Sequence, residues 1–422
     1  MNRKRLLLVI IMILLLIGSA FSFFCYKNYQ VTLREQKKEE KEKQLLKEIK
    51  NHYNNVVRLE NDSTLYRLTD KKYIAVGTIA KDKIVELEDV QDINVNTKYF
   101  LVKTLGLYVN YKDVVPSENI VESSDQRFRN YLSFNENIIT NDMVTLYDKE
   151  KTVVFKLNYS IDVPIIVKDD EGVYVEYFGD LYFINNQDIV KKYERDNSSL
   201  EEANSVPVTC YHFIYLPGDN TCNEIICHSQ EQIESHFKYL TDNNYFTLNT
   251  TELRLFIEGK IRLPKNSILV TIDDGARAEK FIPLLEKYKI NATLFLVSSW
   301  YPKEKFLSSY MEIASHTNDL HNGGVCPGGQ GGAIKCLAHD KLLEDFRKSR
   351  ETLNGTEAFC YPFYEYNNYS IQVLKEAGFT MAFAGYGAGG REQASPGIDK
   401  FRVPRFPIYR TNTTETIEYY ID

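Results

Sequence analysis

The segment that most limits the fold of this chain lies between residues 267 and 297. Ser267-Ile268-Leu269-Val270-Thr271-Ile272 is an apolar run ending in Asp273-Asp274-Gly275. Ala276 to Lys289 then carries Phe281, Ile282, Leu284, Leu285 and Tyr288 at helical spacing, and Ala292-Thr293-Leu294-Phe295-Leu296-Val297 is a second apolar run. Strands buried on both faces read as unbroken apolar runs, whereas a surface helix shows only a stripe. Two such strands joined by a helix form a crossover unit of a parallel sheet, so this part of the chain is α/β. Val206-Pro207-Val208-Thr209-Cys210-Tyr211-His212 reads as another short buried strand. Ser229 to Asn243 reads as a helix with Ser229 as its cap and Ile233, Phe237 and Leu240 on its apolar face. In parallel sheets reactive groups gather at the carboxyl ends of the strands, which is where Asp273 and Asp274 fall.

Met311-Glu312-Ile313-Ala314-Ser315-His316-Thr317-Asn318-Asp319-Leu320-His321 follows about forty residues later. Its two histidines are too far out of helical phase to share one helix face, but a strand end running into a loop brings both to one point. One Asp and two His make the ligand count of a catalytic zinc site that keeps a position open. A divalent cation, expected to be zinc, held by Asp274, His316 and His321 acidifies water and polarises a carbonyl, and Asp273 is free to take the proton as general base. That chemistry hydrolyses an amide or an ester. Alone, an Asp-Asp-Gly is usually a turn and a histidine is often structural; the conjunction is the specific signal.

With 422 residues the chain has room for two or three domains. A net charge of −7 and the absence of clustered Lys and Arg, outside one mixed-charge stretch, exclude a nucleic-acid partner. No obligate protein partner is evident. Asn2-Arg3-Lys4-Arg5 precedes Leu6 to Phe24, nineteen residues without a charge. That length suits a membrane span, and basic residues before it keep that end in the cytoplasm. The expectation is a transmembrane signal anchor over 1–27, with later domains outside the cell; the alternative is a cleaved secretory peptide near Gly18-Ser19-Ala20. Residues 28–55, rich in Glu and Lys three or four apart, read as a charged helical stalk.

Cys25 sits at the membrane border, and the six other cysteines, Cys210, Cys222, Cys227, Cys326, Cys336 and Cys360, fall in the C-terminal half. An even number outside the cell is compatible with three disulfides. Cys222 with Cys227 and Cys326 with Cys336 are spaced to close small loops; free buried thiols are the alternative.

From Val56 to Val190 the pattern is short alternating segments rich in Tyr, Val and Ile. Thr64-Leu65-Tyr66 recurs as Thr145-Leu146-Tyr147, and Leu107 to Val115 recurs loosely as Leu181 to Val190. Two tandem all-β modules are expected, over 56–118 and 119–192, followed by a linker over 193–205. They resemble bacterial SH3-like barrels. That resemblance implies a grip on cell-wall glycan or peptide; the alternative is that the tyrosines are only strand formers.

Thr271-Ile272-Asp273-Asp274-Gly275, His316 to His321, and Phe359-Cys360-Tyr361-Pro362-Phe363 strongly resemble the successive motifs of the polysaccharide deacetylases, carbohydrate esterase family 4, with the NodB-homology domain. Cys210-Tyr211-His212, Leu374 to Phe379 and Phe401 to Phe406 add weaker support, and the resemblance covers about 206–422. It implies a distorted or incomplete (β/α) barrel and a metal-dependent hydrolase that removes N-acetyl groups from N-acetylglucosamine residues of a cell-surface polysaccharide, with peptidoglycan expected first. By motif position Asp273 is the base and Asp274, His316 and His321 are the ligands. Tyr361, Pro362, Phe363, Trp300 and Arg405 are the candidate substrate-binding residues, Arg405 as a group that orients a carboxylate, with core packing or a surface ion pair as their alternatives.

Three departures stand out. The histidines are five apart rather than four, as in a recognised variant, and the Arg that often precedes the Pro-aromatic motif is replaced around Cys360-Tyr361. The late Leu-His motif, whose His is the general acid, has no counterpart, since the last histidine is His339. His212 is one candidate acid and a structural histidine is its alternative. Other readings are an exopolysaccharide N-deacetylase, an O-acetyl esterase, or a catalytically weak wall-binding protein. The Gly323-Gly324 to Gly331-Gly332 segment lacks the ending of a phosphate loop and reads as a loop beside the cleft.

Overall fold

The structure is a computed structural model that describes residues 3–53, 55–88, 98–103, 105–118, 126–196, 200–215, 222, 224–385 and 392–421. The start of the second expected β module, 119–125, and residues 197–199 of the expected linker lie outside them. The contacts divide the chain into two compact units: residues 1–125, 139–162 and 176–191, and residues 126–138, 163–175 and 192–422.

In the first unit one helix runs without a break from Arg3 to His52, so the apolar segment and the charged stalk are a single element. The helix is long and apolar enough to cross a membrane. Glu39 and Lys43 pair at 3.0 Å across one turn of its charged part. The strands that follow are antiparallel. The two repeated segments fold alike: strand Leu107–Asn110, a 3₁₀ turn and strand Val114–Pro116 in the first; strand Asp180–Asn185, a 3₁₀ turn and strand Ile189–Glu194 in the second. The two expected modules do not keep their strands apart, however. Phe155 pairs with Ile79 and Leu157 with Gly77, joining a strand of the second to a strand of the first. A Cβ on Gly77 would overlap the Lys156 carbonyl, so glycine is what lets those strands approach.

The second unit also begins earlier than the expected boundary at 206. Arg127 pairs with Glu252 at 2.6 Å, and the Leu132 N–H donates to Arg262 O at 2.8 Å. Its centre is an eight-stranded sheet whose recorded pairings are all parallel. Along its main path the order is 381–383, 358–360, 311–315, 292–296, 267–274, 208–211 and 406–407, with 246–247 beside 267–274. Every residue of Ser267–Asp274 is buried, as its unbroken apolar run requires. Helix Ile282–Tyr288 is the crossover between two neighbouring strands and ends at Lys289 with φ of +55°. Ser229 caps helix Gln230–Asp242 by accepting from the Gln232 N–H.

The segment from Lys400 to Pro407 joins both outer edges of this sheet. Ala382 N–H donates to Lys400 O, and Ala384 N–H to Val403 O, each at 2.8 Å, while Phe406 and Pro407 pair with Thr209 and Cys210. The sheet is thereby curled into a half-barrel, and the strand ends that carry Asp273, Asp274 and His316 converge.

The main core packs the helices against the outer sheet face through Ile233, Phe237, Phe281, Leu285, Leu294 and Phe306. Leu294→Ala, which empties a fully buried position on a central strand, is expected to lower the unfolding free energy by about 2–5 kcal/mol. Urea denaturation of the parent and the variant measures it.

Candidate metal centre

The Ser267–Asp274 strand reaches its carboxyl end at the two aspartates, and the backbone there turns sharply. Asp274 has φ of +75°, and Gly275 follows at +104°. A Cβ on Gly275 would collide with Leu296 and come within 3.1 Å of Tyr301, so only glycine fits. The Met311–Ser315 strand lies on the far side of strand 292–296, in register with it, Leu296 facing Ser315, and the chain then enters the 316–321 turn, where Thr317 has φ of +79°. That turn is held from beneath by Asp345, whose carboxylate accepts the N–H groups of Asn318 and Asp319 at 2.9 and 2.8 Å. Burial pushes the Asp345 carboxyl up to about 6 even though both N–H groups pull it down.

The turn delivers His316 and His321 to one oxygen. Their Nε2 atoms stand 3.3 and 3.2 Å from Asp274 Oδ1, and the three ligand atoms lie within 4.8 Å of one another. Ligands about 2.0–2.1 Å from a tetrahedral ion stand roughly 3.3 Å apart, so this set has the spacing of a divalent-cation site. His316 Nδ1 lies 2.8 Å from the Cys360 carbonyl, which can only accept. The proton is therefore on Nδ1, and Nε2 carries the lone pair a cation needs. Burial opposes ionisation of Asp274, but its contacts with His316 and His321 hold the carboxyl well below its ordinary value. The donors fit a cation of the zinc type.

Asp273 stands beside the cluster, a carboxylate oxygen within 4.8 Å of a His316 ring nitrogen, but is held by other partners. Both of its oxygens are taken by Arg405, Nη1 to Oδ1 at 2.7 Å and Nη2 to Oδ2 at 2.9 Å. Arg405 is 0% exposed. It also donates to Ala384 O, Thr271 Oγ1 and Cys360 Sγ, which employs all five guanidinium protons. The thiols of Cys210 and Cys360 donate to Asp273 Oδ2 at 3.4 and 3.5 Å. Burial raises the Asp273 carboxyl, but the charge and hydrogen bonds of Arg405 outweigh it and bring it to about 2.

The remaining expected residues separate. His212 comes to the site: a ring nitrogen lies within 4.8 Å of both Cys210 Sγ and an Asp273 oxygen. Trp300, 44% exposed, meets the His321 ring edge-on at 5.2 Å, and Phe363 meets it at 4.5 Å. Three residues expected at the sugar surface are not there. Arg405 is inside the half-barrel because the Asp273 carboxylate needs a buried counter-charge. Tyr361 is buried with its hydroxyl donating to Phe401 O and its ring stacked on Tyr366, and Pro362 is buried beside it. Cys222–Cys227 and Cys326–Cys336 are disulfides, whereas Cys210 and Cys360 are buried free thiols. The sequence reading missed both thiols at Asp273, although each lies inside a motif it had singled out. It also missed Asp345, for which the sequence carries no local signal.

Residues 260–382 match the sequence profile of the polysaccharide deacetylase family. The chain carries a polysaccharide deacetylase domain. Among its relatives is the poly-β-1,6-N-acetyl-D-glucosamine N-deacetylase of Staphylococcus aureus, 29% identical over 223 residues, covering 47% of this chain and 73% of that protein. A solved de-N-acetylase from Aggregatibacter actinomycetemcomitans is 24% identical and covers 51% of this chain and 99% of its own, with a TM-score of 0.44. A solved polysaccharide deacetylase from Bacillus cereus is 17% identical and covers 86% and 100%, with a TM-score of 0.43. The deacetylase domain is a hydrolase, and the aspartate and histidine cluster lies within the matched residues.

Arg405→Leu leaves the Asp273 carboxylate buried without its partner, and at pH 7 the unfolding free energy is expected to fall by about 3–5 kcal/mol. The folded carboxyl lies below its unfolded value of about 3.9, so this stabilisation is present above that pH and is lost as pH falls through about 2. Urea melts across pH should show the gap between parent and variant narrowing below about pH 4; a constant gap down to pH 2 would contradict the assignment.

Proposed function

We propose that this protein is a metal-dependent N-deacetylase that removes acetyl groups from N-acetylglucosamine residues of a cell-surface polysaccharide. The observation that carries the reading is the convergence of Asp274, His316 and His321 on one point while the neighbouring Asp273 stays beside it, held by Arg405. In this reading the three residues are the cation's ligands and Asp273 is the base. A divalent cation, zinc by its donor set, supplies Lewis acidity toward water and the acetamide carbonyl.

The chain's own groups do the rest. Asp273 is ionised at physiological pH, and Oδ1, which accepts one recorded bond from Arg405 where Oδ2 accepts three, keeps a lone pair for a proton. At a pKa near 2 it is a weak base, and it works only on a water already made acidic. Arg405 keeps the carboxylate in place and stops it from swinging onto the ligand cluster. His212, beside Asp273, is the group placed to give a proton to the departing glucosamine nitrogen, the role for which the sequence holds no late histidine. The exposed Trp300 and the half-buried Phe363 flank His321 and offer ring surface to a sugar. The product amine is cationic at neutral pH.

The relative from Staphylococcus aureus acts on poly-β-1,6-N-acetyl-D-glucosamine, which favours an exopolysaccharide of this kind over the peptidoglycan expected from sequence. The Arg3–His52 helix, in this reading, anchors the enzyme in the membrane with its catalytic unit outside the cell.

The full chain in detergent, loaded with zinc, is expected to release acetate faster from poly-β-1,6-N-acetylglucosamine than from peptidoglycan; the reverse order would make peptidoglycan the substrate. Zinc retention without acetate release from either polymer, or from an O-acetylated glycan, would leave a binding protein. Asp273→Asn should lower kcat by at least about 10²-fold with metal content unchanged. His316→Ala should lose the metal itself, read by elemental analysis after dialysis against a chelator.

A further inference from the structure

The two imidazoles of the cluster are oriented by different means. His316 is fixed by the hydrogen bond from Nδ1 to the Cys360 carbonyl. Among the described residues His321 has no such bond; it is wedged between the rings of Trp300 and Phe363. Phe363 is itself in a costly conformation, φ +58°, and Tyr364 after it has φ +60°. Left-handed backbone is unfavourable for bulky residues, so the surroundings must hold it.

What holds Phe363 is the glycine-rich segment that follows His321. A Cβ on Gly323 would stand 3.6 Å from Phe363 Cζ, and one on Gly332 3.5 Å from its Cδ2, so the loop backbone lies against the ring. The loop is fastened at several points. Glu365, two residues past Phe363, accepts the N–H groups of Gln330 and Gly332 at 2.5 and 2.7 Å and pairs with Lys335 at 3.0 Å. The Cys326–Cys336 disulfide closes the loop across its middle. The glycines are what permit this. A Cβ on Gly329 would overlap the Glu365 carboxylate, and one on Gly331 would stand 2.7 Å from the Gly324 nitrogen. The run of glycines that resembles a phosphate loop in composition is here a backbone surface kept bare, so that a carboxylate and a phenyl ring can approach it.

We infer that the disulfide-closed loop from Asn322 to Leu337, locked by Glu365, positions His321 for the cation, acting through Phe363. A ligand without a hydrogen-bonded partner is free to rotate, and binding a cation then costs that freedom; a ring wedged between two others has lost it beforehand. The inference rests on the reading of Asp274, His316 and His321 as metal ligands.

The test is Co(II) titration of the metal-stripped full chain in detergent, followed by visible absorption and by competition with a chelator. Folding of each variant is checked by circular dichroism. Cys326→Ser combined with Cys336→Ser is expected to weaken Co(II) binding by about tenfold and to alter the absorption band, within the range for losing an outer partner of a ligand. Should that variant fail to fold, Phe363→Leu, which keeps apolar bulk and removes the ring, is judged by the same standard. A folded variant whose affinity falls less than about fivefold, with the parent's band, overturns the inference. His321→Ala separates the two levels: if it abolishes Co(II) binding while the loop variants do not, the ligand reading stands and the loop's role fails. If His321→Ala binds as the parent does, both fail.

Discussion

The fully buried pair of Asp273 and Arg405 is the interaction around which the catalytic unit is organised. A carboxylate and a guanidinium withdrawn from water each cost several kcal/mol in desolvation, and their attraction offsets that only when geometry is good and every remaining proton and lone pair is satisfied. On the side of Arg405 the condition is met. Arg405 makes two bonds to Asp273 and one each to a carbonyl, a hydroxyl and a thiol, with the rings of Phe295 and Tyr364 on either side. Because Arg405 lies on the segment that joins the two outer strands, the bond between carboxylate and guanidinium is also a clasp across the curled sheet. Charge and topology are one device: without that segment, Asp273 would lack a partner.

Around this pair the backbone is strained where it serves the site. Asp274, Thr317 and Phe363 all have left-handed φ values. The first is tolerable for a short polar side chain, but the second and third are unfavourable for a β-branched and an aromatic residue. Each is held by bonded neighbours: the pairing of 267–274 with 292–296, the Asp345 carboxylate under the 316–321 turn, and the Glu365 clamp next to Phe363. Strain of this kind persists only when the surrounding structure over-determines it, and here it turns the ligand side chains toward one point.

Much of the unit was legible from local pattern. The strands 267–274 and 292–296, the helix between them and the cap at Ser229 follow from apolar spacing and a single polar residue, all within a few neighbours in sequence. The cluster of Asp274, His316 and His321 was legible because two short motifs each carry distinctive residue types. The reading was less complete where partners are distant. Arg405 was read as orienting a carboxylate or binding substrate, without its burial, and Tyr361 and Pro362 were placed in the sugar pocket, because nothing near them in sequence indicates burial. The role of Cys210 and Cys360 depends on strands that are neighbours only after the sheet has formed. Within the β region, the repeated strand and turn pattern was visible, but the pairing of Phe155 with Ile79 was not.

The sequence by itself determined the class of fold of the catalytic unit, the apolar N-terminal helix and the kinds of atoms available to a cation. These depend on periodicity and residue chemistry, which act over a few residues. Only the tertiary structure decided that Asp273 is locked to a buried Arg405 and which aromatic rings remain at the surface. Those choices arise from burial and counter-charge supplied by segments over a hundred residues apart, as with Arg405 and Asp273. No local pattern contains that information.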